Sequence, residues 1–183
     1  MLQVLRSYFS SSASIPTMSA IPPTAQTAYV AAGCFWGVQQ LFAETPGVVD
    51  TAVGYMNGKT QNPTYKQVCY NETGHAEAVK IVFDPARVSY DALLKVFWDH
   101  HDPTTLNRQG PDHGTQYRSA IFYVDNAQKD AALASREAEQ KQWSKPISTE
   151  VTAADVFYPA EDYHQHYFAK NGGGACHRVV RKS

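Results

Sequence analysis

One cysteine of this chain, Cys34, lies in a sequence context that favours a reactive thiolate. It follows an apolar run that ends at Ala32 and precedes a helical pattern that continues through Val38. At such a strand-to-helix junction, unpaired backbone N–H groups and the positive end of the helix dipole lie near the sulfur and favour its ionised form. We therefore predict that Cys34 is a nucleophile, with Phe35 and Trp36 providing apolar surface beside it. A buried core cysteine that caps a helix is the alternative.

The two other cysteines have different surroundings. Cys176 follows three consecutive glycines, so its thiol can reach a distant site at little backbone cost. This layout is typical of a resolving cysteine, which attacks an oxidised first cysteine and forms a transient disulfide. An inert tail cysteine is the alternative. Cys69 lies among apolar and aromatic residues and is expected to be a small buried core residue.

Acidic and phenolic side chains could complete a site around the thiol. Glu77 lies on the core-facing side of a predicted strand, where burial raises the pKa of a carboxyl group. A neutral carboxyl group of this kind suits a hydrogen-bond donor or general acid, whereas an exposed strand glutamate is the alternative. Tyr65 and Tyr117 lie in polar loops, and each could present a phenolic O–H to an oxygen atom in a pocket.

Two other chemistries are compatible with parts of this set. His75 and Glu77 match the H-x-E of zinc deaminases, but no P-C-x-x-C follows. The remaining histidines have no ligand spacing with cysteines, so no metal site is expected. A hydrolase could be built from Cys34, a histidine and Asp112, but it would leave Cys176 unexplained.

Strands and helices alternate along the chain and must position these residues. Periodicity predicts strands at about 27–32, 48–55, 75–83, 116–124 and 147–153. It predicts helices at about 35–44, 126–143 and 160–170, and a further helix that Ser89 caps. The segments at 62–65 and 101–115 are predicted to be loops. We therefore predict an α+β fold, in which a ferredoxin-like mixed sheet is covered by helices in a two-layer sandwich, with an irregular C-terminal tail.

Composition limits the class of protein. A chain of 183 residues with 43% hydrophobic content fits one domain with a sizeable core. The formal net charge of -1 gives no electrostatic argument for nucleic acid or acidic lipid, and no apolar run could span a bilayer. Three cysteines are too few for a secreted disulfide framework, so a reducing compartment is expected.

The two ends differ from the middle of the chain. Residues 1–26 contain no Asp or Glu and are rich in serine, which predicts a disordered leader and a possible organelle transit peptide. Met18 offers a second start that would remove this leader. We therefore predict a catalytic domain at 27–171, a flexible tail with the resolving cysteine at 172–183, and a cytoplasmic or mitochondrial location or both.

Five motifs occur in one order along the chain, and together they resemble the peptide methionine sulfoxide reductases of type A. The resemblance covers about residues 28 to 176. The matching segments are GCFWG at 33–37, NPTY at 62–65, GHAE at 74–77, HDPTT at 101–105 and DHGTQYRS at 112–119. Gly54, Tyr55 and the YHQ at 163–165 also fit the family pattern.

The resemblance implies roles for the residues around the thiol. Cys34 would attack the sulfoxide sulfur as a thiolate. Glu77, with Tyr65 and Tyr117, would bind and protonate the sulfoxide oxygen. Asp112 would support the water and hydrogen-bond network near the thiol and Tyr117.

The resemblance also implies how the substrate is held and how the enzyme is recycled. Phe35 and Trp36 would hold the terminal methyl group of the substrate. Cys34 would be left as a sulfenic acid, Cys176 would condense with it, and thioredoxin would reduce the disulfide. Many family members carry two recycling cysteines near the C-terminus, whereas this chain has one there, so we expect direct reduction of a Cys34–Cys176 disulfide.

The implied enzyme reduces the S epimer of methionine sulfoxide, free and in oxidised proteins, as a monomer without a bound cofactor or metal. Thioredoxin and oxidised proteins would be its partners; nucleic acid and membranes would not. A thiol-dependent redox sensor or binding module that holds oxidised methionine without turnover is one alternative. A cysteine hydrolase that forms an acyl-enzyme on Cys34 is the other.

Overall fold

The structure is a computed structural model that describes residues 21–172. Most of the predicted leader, and the predicted tail from residue 173 with Cys176, lie outside the described residues. The strands are β1 (Gln26–Ala32), β2 (Val48–Met56), β3 (Ala76–Phe83), β4 (Arg108–Gln109), β5 (Asp112–His113), β6 (Ser119–Tyr123), β7 (Glu150–Ala153) and β8 (Tyr158–Pro159). The α-helices are α1 (Phe35–Ala43), α2 (Tyr65–Tyr70), α3 (Tyr90–Asp99), α4 (Asn126–Gln140) and α5 (Tyr167–Asn171), and Thr115–Tyr117 form a short 3-10 helix.

Six strands form one sheet in the order β7-β6-β1-β3-β2-β8. The four central strands, β6-β1-β3-β2, pair antiparallel and have the strand order of a ferredoxin-like fold. At one edge β7 pairs parallel with β6, and at the other β8 pairs antiparallel with β2. The prediction of an α+β fold with a mixed sheet covered by helices is confirmed.

The two faces of the sheet are packed differently because side chains alternate along each strand. In β3, Val79, Ile81 and Phe83 face a core shared with apolar side chains of α1 and α3. Ala76 and Ala78, which face the other way, belong to a smaller cluster that includes Phe122 and Met56 and packs against Phe157. Residue 77 therefore lies on the helix-covered face of β3, which is the face that α1 reaches.

Local capping fixes where two of the helices begin. The Ser89 side chain accepts the Ala92 N–H at the start of α3, as predicted. The Asp125 side chain accepts the Gln128 N–H at the start of α4. Within residues 21–172, no helix is both long enough and apolar enough to span a membrane.

Three segments differ from the prediction. A helix, α2, begins at Tyr65 inside the expected loop because Thr64 and Gln67 form a capping box. The expected loop at 101–115 contains the β4–β5 hairpin, which is followed by the 3-10 helix. The helix expected at 160–170 is limited to α5, because Gln165 hydrogen-bonds both the N–H and the C=O of Val53 and His166 has a φ of 52°, outside helical geometry.

Candidate active site

Cys34 is the N-cap residue of α1, directly after the end of β1. The chain turns between the two elements at Gly33, whose φ of 91° lies in a region that side chains disfavour. Cys34 is half-buried. The position at a strand-to-helix junction that the sequence predicts is therefore present, with the sulfur at the helix N-terminus.

Glu77 lies in β3 opposite Tyr55 of β2 and is only 2% exposed. Its Oε2 accepts the backbone N–H of Phe35, the residue after Cys34, at 3.0 Å. Burial, with a further contribution from the charge of Asp112, raises the pKa of Glu77 to about 8, although the hydrogen bond from Phe35 acts in the opposite direction. The carboxyl group is thus held beside the start of α1 in its neutral form at pH 7.

Tyr65 and Tyr117 reach this region from two different elements. Tyr65 is the first residue of α2, and Tyr117 ends the 3-10 helix. Burial raises the pKa of each phenol above its usual value, and the charge of Glu77 raises it further. The charges of Asp112 and Cys34 also act on Tyr117. The structure therefore brings together the five predicted residues Cys34, Tyr65, Glu77, Asp112 and Tyr117.

Asp112 is half-buried in the small β4–β5 hairpin. It pairs with Gln109, whose side chain hydrogen-bonds the backbone N–H and C=O of Asp102. These bonds fold the polar segment back on itself, so that Asp112 is close enough for its charge to raise the pKa of Glu77. A segment that the sequence predicts to be irregular is therefore ordered by its own side chains.

Phe35 and Trp36 differ in exposure. Phe35 is 1% exposed and contacts Tyr55 and His164, with ring centroids 5.9 and 5.3 Å apart. Trp36 is half-buried and stacks on Tyr167 of α5 at 3.8 Å between centroids. Phe35 is thus buried next to Cys34, whereas part of the Trp36 ring is exposed to solvent.

His164 was not assigned a role from the sequence, although its YHQ segment is part of the family pattern. The Trp36 indole N–H donates to Nδ1 of His164 at 3.0 Å, so the ring proton of neutral His164 is on Nε2. Burial lowers the pKa of His164, although the charge of Glu161 acts against the shift. Neutral His164 therefore holds the Trp36 ring in place through this hydrogen bond. The Tyr65 ring also packs against His164, with 4.4 Å between the ring centroids.

Glu161 was also missed from the sequence. It lies between β8 and α5, and its carboxylate accepts the backbone N–H of Tyr65 at 2.9 Å and the hydroxyl of Tyr55 at 3.0 Å. No local sequence signal distinguishes it from its neighbour Asp162, because both of its donors come from distant parts of the chain.

The expectation for Cys69 was wrong. It lies one turn after Tyr65 on the same side of α2, is half-buried, and its side chain is hydrogen-bonded to that of Tyr65. Burial raises the pKa of this thiol, and the charges of Glu77 and Glu161 raise it further. Cys69 therefore borders the site instead of filling the core.

Potential metal ligands are not grouped in the part of the chain that the structure describes. Among residues 21–172, no set of three or more His, Cys, Asp or Glu side chains is arranged to hold a metal ion. Cys176, which we predict to be the resolving cysteine, lies outside these residues.

Comparison with known proteins agrees with this geometry. A sequence model of the peptide methionine sulfoxide reductase family matches residues 26–183. The MsrA protein of Geobacter sulfurreducens is 58% identical over 147 residues, which cover 79% of this chain and 91% of that protein. Methionine sulfoxide reductase A of Corynebacterium diphtheriae has a similar structure, with a TM-score of 0.79, 39% identity, and coverage of 88% of this chain and 82% of that chain.

The yeast protein Mxr1 from Saccharomyces cerevisiae is a further structural neighbour. Its reduced form gives a TM-score of 0.81 at 36% identity, covering 90% of this chain and 97% of that chain. Mxr1 has also been solved in complex with Trx2, where the TM-score is 0.60 and the identity is 23%, so that comparison bears on the fold alone. From the family match and the identity to its relatives, this chain belongs to the peptide methionine sulfoxide reductase family, type A.

Proposed function

We propose that this protein reduces the S epimer of methionine sulfoxide, free and in proteins, and thereby repairs oxidised proteins. The observation that carries the proposal is the buried Glu77 carboxyl group, whose pKa of about 8 keeps it protonated and which accepts the N–H of the residue after Cys34. A thiol nucleophile next to a protonated acid suits the transfer of oxygen away from sulfur. Membership of the family supports methionine sulfoxide as the substrate, and the family resemblance implies its S epimer.

In the first half-reaction, the Cys34 thiolate attacks the sulfoxide sulfur. The Glu77 carboxyl group gives its proton to the sulfoxide oxygen, with the hydroxyls of Tyr65 and Tyr117 as further hydrogen-bond donors. The oxygen and the proton end on Cys34, which becomes a sulfenic acid, while the sulfoxide sulfur is reduced by two electrons to the thioether of methionine. Expelling oxide from sulfur without this proton would be unfavourable, which is why the neutral acid matters.

The substrate's methyl group is placed against apolar side chains. Phe35 is buried next to Cys34, and Trp36 is held by His164 and Tyr167 with part of its ring uncovered. A methyl group gains free energy by leaving water for such a surface, at roughly 25 cal/mol per Å² of buried apolar area. Asp112 supports the hydrogen-bond network near the thiol and Tyr117.

In the second half-reaction, the Cys176 thiol attacks the sulfenic acid of Cys34. A disulfide forms and the oxygen leaves as water. Thioredoxin then gives two electrons to the disulfide and restores both thiols. The single cysteine after the glycine run favours this direct route, and the solved complex of the yeast relative Mxr1 with Trx2 is in line with a thioredoxin partner.

A multiple-turnover assay with each epimer of methionine sulfoxide and with thioredoxin tests the proposal. We expect sustained formation of methionine from the S epimer and little from the R epimer. Tight binding without turnover would indicate the redox sensor or binding module instead. The mass of the intact protein, measured after substrate is added without reductant, distinguishes the reductase from a cysteine hydrolase. A disulfide lowers the mass by two hydrogen atoms, whereas an acyl-enzyme raises it by the mass of the acyl group.

We further propose that the protein acts as a monomer in the cytoplasm or in mitochondria, or in both. The acid-free composition of the leader and the second methionine at position 18 are the features that favour two locations. Imaging of fluorescent fusions that begin at Met1 or at Met18 tests this. A mitochondrial signal for the longer fusion and its loss in the shorter one are expected, and identical distributions would rule out a targeting role.

A further inference from the structure

We propose that Glu161 is a positioning residue, which sets where the Tyr65 hydroxyl stands relative to Glu77. The inference rests on the proposed function, because Tyr65 and Glu77 are the groups that act on the sulfoxide oxygen there. Glu161 itself has no assigned role in that reaction and acts through Tyr65.

One carboxylate joins two parts of the site. Oε1 of Glu161 accepts the backbone N–H of Tyr65 at 2.9 Å, and Oε2 accepts the Tyr55 hydroxyl at 3.0 Å. Tyr55 is fully buried, and in the β2–β3 pair it is the residue opposite Glu77. Side chains of paired residues lie on the same face of the sheet. Glu161 therefore links the first residue of α2 to the strand position that faces the general acid.

The link matters because α2 is short, and Val68 is its only fully buried residue. The helix has six residues, too few for an isolated helix to be stable in water. The capping box uses the backbone N–H groups of Thr64 and Gln67, whereas the N–H of Tyr65 has no intrahelical acceptor. Glu161 supplies that acceptor, so the direction in which α2 presents Tyr65 depends on a residue far along the chain.

Glu161 is suited to accept both hydrogen bonds because it is ionised. Burial acts to raise its pKa, but the hydrogen bonds from Tyr65 and Tyr55 and the nearby His164 hold it below the usual value. Nε2 of His164, which carries the ring proton, lies 4.0 Å from Oε2. An ionised carboxylate makes stronger hydrogen bonds than a neutral acceptor does, which favours a fixed geometry.

A double-mutant cycle tests whether Glu161 acts through Tyr65. The variants are Glu161→Ala, Tyr65→Phe and the double variant, and Asp162→Ala is the matched control because Asp162 is the exposed neighbouring acid. We expect Glu161→Ala to lower kcat for methionine sulfoxide by about 10-fold with a smaller change in KM, and the double variant to be no slower than Tyr65→Phe alone. Losses that multiply in the double variant, or Glu161→Ala within two-fold of the parent, would overturn the inference.

A second measurement separates positioning from loss of folded protein. Without reductant, the methionine released in a single turnover counts the competent molecules. A positioning role lowers the rate of this burst and leaves its amplitude unchanged, whereas general misfolding lowers the amplitude. Glu161→Gln keeps one oxygen for the Tyr65 N–H and should recover most of the rate, and a Gln variant as slow as the Ala variant would count against the inference.

The outcomes also separate this inference from the proposed function. If Glu161→Ala fails to fold, Tyr55→Phe takes its place in the double-mutant cycle with Tyr65→Phe. Tyr55→Phe removes only the hydroxyl group that donates to Glu161, so the cycle still tests whether Glu161 acts through Tyr65. A parent protein that does not reduce either epimer would overturn the proposed function and this inference together. An active parent in which the losses multiply would overturn the inference alone.

Discussion

The pKa values of Glu77, which is buried, and Glu161, which is partly exposed, are shifted in opposite directions. Burial and the charge of Asp112 raise the pKa of Glu77 to about 8 against the hydrogen bond from Phe35. At Glu161, hydrogen bonds from Tyr65 and Tyr55 outweigh burial and hold the pKa below its usual value. Environments that push the pKa values of two like groups apart also assign their roles, here a proton donor and a hydrogen-bond acceptor.

Substitution of Glu77 by glutamine tests the proton donor. The amide keeps the size of the side chain and can still accept the N–H of Phe35, but it has no acidic proton to give. We expect the fold to persist and the single-turnover rate to fall by about 10²–10⁴-fold, the usual contribution of a positioned general acid. Glu72→Gln, at an exposed position of the segment that leads into β3, is the matched control. A Glu77→Gln rate within two-fold of the parent would contradict the role.

The pKa of Glu77 also predicts a pH profile. The acid works only while protonated, so kcat/KM should fall as the pH rises through about 8. This limb should be absent in Glu77→Gln, whose residual rate does not depend on that proton. Single-turnover rates between pH 6 and 9.5 would measure it, and a parent rate that is level or rising up to pH 9.5 would show that another group provides the proton.

At the scale of elements, the site is built where short helices meet the ends of the central strands β1 and β3. The start of α1 carries Cys34, β3 carries Glu77, and α2 and the 3-10 helix carry the two phenols. Arg118, directly after the 3-10 helix, is buried and donates to the carbonyls of Thr115 and Gly74, which joins this helix to the start of β3. These elements are too short to be stable alone. Hydrogen bonds between residues distant in sequence therefore hold them in position relative to one another.

A single glycine allows β8 to lie close to β2, which sets the position of the segment that follows. A Cβ added at Gly54 would come within 2.4 Å of the Tyr158 carbonyl oxygen and 2.5 Å of the Phe157 ring. Gly54→Ala must therefore push β8 outward and move Glu161 with it. We expect a loss of about 1–3 kcal/mol in the free energy of unfolding, as for other overpacked cores, together with slower reduction. Urea denaturation measures the free energy of unfolding. An unchanged value in Gly54→Ala would show that β8 can move away from β2 at no cost.

At the scale of the whole molecule, the proposed cycle joins the described domain to the end of the chain. Cys34 lies in the domain, and Cys176 lies five residues after Asn171, the last residue of α5. Three glycines at 172–174 lie between Asn171 and Cys176, and glycine restricts the backbone dihedral angles less than any other residue. A chain of this kind can bring a thiol to a half-buried sulfur without a rearrangement of the sheet.

Substitution of Cys176 by serine separates the two half-reactions. We expect one methionine per protein molecule without reductant, as in the parent, because Cys34 is the only cysteine that the reduction step needs. Thioredoxin-driven turnover should be lost, because no disulfide forms for thioredoxin to reduce. Ala175→Ser adds a hydroxyl group at the neighbouring position and should keep full turnover. Sustained thioredoxin-dependent activity of Cys176→Ser would mean that thioredoxin reduces the sulfenic acid directly or that another thiol resolves it.

The strands and long helices follow from the sequence because their apolar periodicity is local. Prediction failed where contacts between distant residues decide the structure. The segment before α5 contains helix-forming residues, but two hydrogen bonds between the Gln165 side chain and the Val53 backbone hold it in a non-helical turn. Cys69 has the surroundings of a core residue in sequence, and the direction of α2 places it at the site instead.

The sequence by itself determined the chemical groups of this protein: a thiol at a strand-to-helix junction, an acid on a buried strand face, two phenols and a second thiol after a glycine run. The tertiary structure alone decided which backbone group Glu77 contacts and what holds Tyr65. Those properties depend on the Phe35–Glu77, Tyr65–Glu161 and Tyr55–Glu161 hydrogen bonds, which span 42, 96 and 106 positions in the chain. Hydrogen-bond partners at such separations are properties of the folded packing, and no local pattern of residues encodes them.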